Sequence, residues 1–329
     1  MTLVVARSEN GRLAMAADTL ISAHGSPLPM RNWAIKLACL PGHVCVAYSG
    51  SPELSWRFIK DFRATYPSGA GYDTVISFFE LAGRKTGCDF IVGFSHTGKL
   101  VSIKDGLRCT GVAKTHWIGD FVAYKRFCEY QYRKKEKPEH GRAISSVMFA
   151  DEEKGSPASD IYSIMRNVVA DREITSVGGF VTVISNRESE FRFSVYSDIL
   201  MDWPIELTSG QDIQLTDKNN LISTGENDRF SISQISLGYY NINMCAIYIL
   251  KGNILCLLSE PDERSDGCVI IKNVAPNKIE ETIDRVIGFP SRALSLIMSS
   301  RKETIAPFRI RSPNEGLGLN LYCEANTMK

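Results

Sequence analysis

Residues 1–20 read MTLVVARSENGRLAMAADTL. Two apolar runs, TLVVAR and GRLAMAAD, flank SENG. Asn-Gly between apolar runs is a hairpin signal, because both residues tolerate the positive φ of a two-residue turn. The stretch predicts two antiparallel strands, the first starting on the threonine that follows Met1. A leader is not expected, since the start lacks the basic stretch and apolar region of a secretory signal. After the loop SAHGSPLPMRN (22–32), WAIKLACL (33–40) and HVCVAYSG (43–50) predict two further strands joined at Pro41-Gly42.

Helices follow in a block. PELSWRFIKDFRATY (52–66) carries Leu54, Phe58, Ile59 and Phe62 at helical spacing, with Pro52 suited to a helix start. YDTVISFFELAGRKTG (72–87) predicts a second helix closed by Gly87. CDFIVGFSHTGKLVSIKDGLRCTG (88–111) returns to strands, with a turn at HTGK. FVAYKRFCEYQYRKKEK (121–137) and SDIYSIMRNVVADRE (159–173) predict two more helices, and GGFVTVIS (178–185) with FRFSVYSD (191–198) a hairpin across NRESE. Elements in blocks, rather than in strict alternation, argue for antiparallel sheets with helices on the outer faces and against a doubly wound parallel sheet.

The texture changes near residue 200. LTSGQDIQLTDKNNLISTGENDRF (207–230) is polar, with little periodicity. Beyond it, MCAIYILKGNILCLLSE (244–260) predicts a hairpin around KGN. NKIEETIDRVIG (277–288) and SRALSLIMSSRK (291–302) predict helices. The expected organisation is one domain over 1–198 and a C-terminal extension over 199–329.

Bulk properties exclude several functions. With 44% hydrophobic and 23% charged residues the chain can bury a core, and a formal net charge of +1 gives no global field for nucleic acid or an anionic membrane. No apolar run is long enough for a membrane helix. Nine scattered cysteines without a CxxC pair read as reduced core thiols of a cytoplasmic protein. Cys39, His43 and Cys45 match no common metal-ligand spacing, so no metal is expected.

Chemistry enters at Thr2. Once Met1 is removed, Thr2 carries a hydroxyl nucleophile and a free α-amine on adjacent carbons. An α-amine has a pKa near 7.7–8.0 and can take the hydroxyl proton, directly or through one water. Such a site needs a cation, a carboxylate to hold it, and a backbone N–H aimed at the oxyanion. Asp18 ends the second strand. Lys36 sits among apolar residues in the third, where an unpaired ammonium is costly. Gly50 ends the fourth. Four successive strands each offer one part.

On these residues the chain resembles the proteasome β subunits and the HslV-like peptidases of the N-terminal-nucleophile hydrolases, over residues 2–198. MTLVVAR, AMAADTLIS, NWAIKLACL and VCVAYSGSPEL appear in the family's order. HWIGDFVAYKRF is similar to its strand-to-helix segment, with Asp120 in place of the usual serine. ADREITSVGGFVTVI is similar to its Asp-x-x-Ser-Gly-Gly segment, with Glu173 at the aspartate and Ser176 at the serine. The resemblance implies an α+β, four-layer αββα sandwich with two antiparallel sheets between helix layers, plus an additional C-terminal α/β segment. It implies a threonine-type endopeptidase without cofactor: Thr2 as nucleophile, Asp18 and Lys36 as supporting pair, Gly50 as oxyanion donor, and Asp120, Glu173 and Ser176 orienting the amine. Ile21 and Tyr48 fall where the family contacts substrate; Tyr48 reads equally as a core aromatic. Implied partners are further copies of the chain in a ring, an unfolded protein or peptide substrate, and an ATPase or regulator; nucleic acid and membrane are not expected. YKRFCEYQYRKKEK (124–137) reads as a solvated basic face or a partner contact. A non-catalytic ring subunit, or an amidohydrolase acting on a small amide, would share the fold.

Overall fold

The structure is a computed structural model. It describes residues 2–23, 26–27, 33–109, 113–133, 144–149, 155–169, 171, 173–187, 189–194, 196–201, 213–214, 231–235, 243–249, 254–261, 267–275, 278–287, 308–310 and 318–321.

Asn10 and Gly11 both have positive φ, 51° and 77°, the combination that lets a two-residue turn follow the natural strand twist. They join β1 (Leu3–Glu9) to β2 (Arg12–Asp18). β3 (Leu37–Leu40) and β4 (Val44–Ser49) form the next antiparallel pair. The third strand is shorter than residues 33–40 suggest. Trp33 only bridges Leu20, and regular pairing starts after Lys36.

Helix α1 (Pro52–Thr65) opens with Pro52 at its first turn and Ser51 as N-cap, whose hydroxyl accepts from Leu54 N at 3.3 Å. It buries Trp56, Ile59 and Phe62, one stripe at helical spacing. Helix α2 (Tyr72–Thr86) ends on Gly87 in the left-handed conformation, as its sequence predicts. Then come β5 (Asp89–Phe94), β6 (Lys99–Lys104), β7 (Leu107–Arg108), β8 (Thr115–Gly119), α3 (Phe121–Arg133), β9 (Ile144–Phe149) and α4 (Pro157–Val169). The chain continues with β10 (Val181–Arg187), β11 (Glu190–Phe193), β12 (Tyr196–Met201), β13 (Ser231–Ile235), β14 (Met244–Ile249), β15 (Ile254–Ser259), β16 (Cys268–Ile271) and α5 (Ile279–Ile287).

Two five-stranded antiparallel sheets, ordered β8-β1-β2-β10-β11 and β3-β4-β5-β6-β7, pack face to face. Helices α3 and α4 cover the first, α1 and α2 the second, giving the expected four-layer αββα sandwich. The side-chain alternation of β1 and β2 explains their unbroken apolar sequence. Val4, Ala6, Leu13, Met15 and Ala17 point between the sheets, while Leu3, Val5, Ala14 and Ala16 point under α3 and α4. A strand buried on both faces has no polar face to show.

A third sheet, ordered β9-β12-β13-β14-β15-β16, follows. Its β14–β15 hairpin divides its residues in the same way. Cys245, Ile247, Cys256 and Leu258 join the main core, and Ala246, Tyr248, Leu255 and Leu257 pack with Ile279 and Ile283 of α5. The helix expected over residues 291–302 and most of the polar stretch 207–230 lie outside the described residues.

His116 of β8 is buried, with Nδ1 2.7 Å from Ser102 Oγ of β6. Burial pushes its imidazole pKa down, against the opposing effect of a hydrogen bond to the Ala113 backbone. The folded chain thus binds fewer protons here than the unfolded chain, and the contribution to stability is whole above the ordinary value of 6.5 and lost as pH falls through the lowered one. Chemical unfolding at a series of pH values is expected to show that His116→Gln flattens the loss of stability on the acid side of about pH 6.5.

Candidate active site

Thr2 stands at the head of β1, 4% exposed, with its backbone tied on both sides. Its carbonyl accepts from Asp120 N at 2.7 Å. The next amide, Leu3 N, donates to Asp18 Oδ1 at 3.0 Å. Gly119, paired with Leu3, has φ +99°, and a Cβ there would lie 1.9 Å from Thr2 O, so only glycine lets β8 come this close.

Asp18, at the end of β2, is fully buried and accepts three hydrogen bonds. Lys36 Nζ donates to Oδ1 at 2.9 Å, Leu3 N to the same oxygen, and Gly178 N to Oδ2 at 3.3 Å. Lys36 is 1% exposed, and its Nζ also donates to Leu20 O at 2.6 Å. Burial pushes the Asp18 carboxyl up and the Lys36 ammonium down, while their mutual attraction opposes both shifts. Desolvation dominates because neither group reaches solvent. The result is a buried pair, next to the backbone of Thr2, in which the carboxyl holds a proton more tightly and the ammonium less tightly than in water.

The Lys36 segment is clamped from the neighbouring elements. Ile35 O accepts from Tyr48 Oη at 2.8 Å and Trp56 Nε1 at 3.0 Å, and Lys36 O accepts from Tyr48 N at 3.1 Å. Tyr48 is 1% exposed, burial pushes its phenol pKa up, and its hydroxyl donates to Ile35 O, which places it as a core aromatic. Ile21 is half-buried and follows Leu20, whose carbonyl holds Lys36.

Gly50 sits between β4 and the Ser51 cap of α1 with φ +114°. A Cβ there would meet Cys88 Sγ at 2.8 Å and crowd Cys88 Cα at 3.3 Å, and the positive φ strains any side chain there. Directly before Gly50, Ser49 Oγ lies 3.4 Å from where a Gly119 Cβ would stand, which brings the hydroxyl against β8 beside Thr2.

The three residues assigned to the threonine amine behave differently. Asp120 reaches Thr2 through its backbone N–H, but its carboxylate caps α3, with Oδ1 accepting from Ala123 N at 2.9 Å. Glu173 is not brought to the site. Its side chain is 76% exposed and pairs with Arg126. The half-buried carboxylate of that turn is Asp171, which accepts from Tyr130 Oη at 2.9 Å, Arg126 Nε at 3.1 Å and Glu173 N at 3.0 Å. Asp171 takes Arg126 Nε and Tyr130 Oη, and Glu173 is left mostly exposed against Arg126 Nη2. Ser176 is buried in the same segment that supplies Gly178 N–H to Asp18.

Among the described residues, no group of three or more His, Cys, Asp or Glu side chains is arranged to hold a metal ion, and no helix is long and apolar enough to cross a membrane. Cys39 and Cys45 face each other across the β3–β4 pair as buried thiols.

Fold and site together define a four-layer αββα sandwich with a buried Asp–Lys pair at the head of its first strand. No family model matches the chain, and no curated protein matches it. Among solved structures it is similar to eukaryotic HslV from Trypanosoma brucei, with a TM-score of 0.40 and 11% identity, covering 56% of this chain and 98% of that one. It is also similar to an Anbu (Gly-1) mutant from Hyphomicrobium sp. strain MC1, with a TM-score of 0.42 and 15% identity, covering 63% and 89%. Neither likeness bears on activity.

Proposed function

We propose that the chain is an N-terminal threonine hydrolase of amide bonds, active after loss of Met1, with peptides as substrates. The observation that carries this reading is the buried Lys36–Asp18 pair, anchored on the amide of Leu3 immediately after Thr2. A buried ion pair is expensive and a weak source of stability, so its place beside a candidate nucleophile favours a chemical role.

In this reading the Thr2 hydroxyl oxygen attacks the amide carbonyl, and its proton passes to the Thr2 α-amine. The carbonyl oxygen takes up the negative charge and is held by the Gly50 N–H. The tetrahedral species collapses, the C–N bond breaks, and the α-ammonium returns the proton to the leaving amine. An ester on Thr2 remains. Water, deprotonated by the same amine, hydrolyses it and frees the hydroxyl. Lys36 supplies positive charge near the hydroxyl, and Asp18 holds it there.

The positions of Asp120 and Glu173 favour a second reading, a non-catalytic copy of the fold that assembles with itself. Neither carboxylate is placed to orient an amine: one caps a helix and the other pairs with Arg126. Thr2→Ala separates the two. Under the hydrolase reading it abolishes cleavage of a peptide library while the mass of the assembly in solution stays unchanged. Equal product from wild type and Thr2→Ala would reject the hydrolase reading. Cleavage of small amides without cleavage of the library would move the substrate class to small amides.

A further inference from the structure

The strand that begins directly after Lys36 has an open edge, and a residue from far along the chain closes it. β3 is the outer strand of its sheet, so the backbone groups it turns away from β4 need partners once buried. Asn243, 1% exposed and immediately before β14, supplies them at Cys39. Its Oδ1 accepts from Cys39 N at 2.7 Å and its Nδ2 donates to Cys39 O at 3.4 Å. One side-chain amide thus replaces a rung of the missing neighbouring strand, three residues beyond Lys36.

Asn243 is itself fixed. Its Nδ2 donates to Glu260 Oε1 at 2.8 Å, and Glu260 forms a two-pronged pair with Arg63 of α1, at 2.6 and 2.5 Å. Lys60 Nζ donates to Pro261 O at 2.5 Å beside it. A chain of contacts therefore runs from α1 through Glu260 and Asn243 to β3, while Tyr48 and Trp56 hold the segment leading into that strand at Ile35.

We propose that Asn243 is a positioning residue for Lys36, so that the docked β14–β15 hairpin is part of what builds the hydrolytic site. The inference rests on the hydrolase reading for Lys36's role, and on the Asn243–Cys39 geometry for the strand. Without Asn243, Cys39 keeps two buried backbone groups without partners, and β3 gains freedom at the point that sets where Lys36 enters the core. Arg63 serves as the control, because cutting it removes the outer end of the contact chain and leaves the packing of the hairpin and the rung on Cys39 in place.

The test compares wild type, Asn243→Ala and Arg63→Leu as full-length chains. One readout is amide hydrogen exchange at Cys39; the other is the pH profile of Thr2 labelling by a peptide epoxyketone. In Asn243→Ala, exchange at Cys39 is expected to rise roughly tenfold or more, as loss of a buried hydrogen bond implies. Labelling slows by a similar factor and the acid limb of its profile moves, whereas Arg63→Leu changes both by less than about twofold. Unchanged exchange at Cys39 in Asn243→Ala, or equal effects in the two variants, would overturn the proposal. So would slower labelling with an unmoved pH profile, which marks a merely structural loss. A wild-type chain that takes no label removes the hydrolase reading instead, and the Cys39 exchange then decides alone whether Asn243 holds the strand.

Discussion

Asp18→Ala is expected to destabilise the chain by about 3–5 kcal/mol, the cost of leaving a buried charge without its partner. Lys36 Nζ would keep only the Leu20 carbonyl, and the amides of Leu3 and Gly178 would lose their acceptor. Two buried amides left without an acceptor, and a buried ammonium left without its counter-charge, exceed what most single substitutions remove. Lys36→Met is milder, because Asp18 keeps two backbone donors and its raised pKa lets it neutralise by taking a proton. Asp18→Asn combined with Lys36→Met removes both charges and retains an acceptor for Leu3 N. Its loss is therefore smaller than the sum of the losses in the single variants Asp18→Asn and Lys36→Met, a coupling that a double-mutant cycle in denaturant measures directly. Additive losses would mean that the two side chains act independently.

Gly119→Ala is expected to reduce Thr2 labelling by about a hundredfold, the scale of loss when a reacting group is displaced by about 1 Å. The added methyl would overlap Thr2 O at 1.9 Å, and the obstacle is backbone, which cannot swing aside as a side chain can. The positive φ adds roughly 1–3 kcal/mol of strain for any L residue. Relief requires β8 to withdraw from the head of β1, which breaks the Asp120 N to Thr2 O bond at the same time. Labelling kinetics of a folded Gly119→Ala chain check this. Wild-type kinetics would mean that the position of Thr2 does not depend on β8.

Much of this arrangement is written locally. Asn10-Gly11 specifies the first turn by its φ preferences, and the unbroken apolar runs of β1 and β2 follow from burial on both faces. Lys36 stood out because an ammonium in an apolar strand demands a partner, and Asp18 is that partner. What was hidden depends on contacts distant in sequence. Nothing around residue 173 says that Asp171 will take the donors of Arg126 and Tyr130, because those lie on α3. Nothing around Asp120 separates an amine-orienting carboxylate from a helix cap, since a short acidic side chain before a helix serves either purpose. Asn243 is further still: it reads as one polar residue before a hairpin, and its meaning comes from an edge strand 204 residues earlier.

The most direct test of the account is the reaction of the purified full-length chain with a peptide epoxyketone, followed by mass mapping of the adduct. The reagent joins both the hydroxyl and the free α-amine of an N-terminal threonine, so it reports nucleophile, base and processing at once. The predicted result is a chain lacking Met1, with one adduct on Thr2 that consumes both groups. Retained Met1, or modification elsewhere with Thr2 untouched, would contradict it.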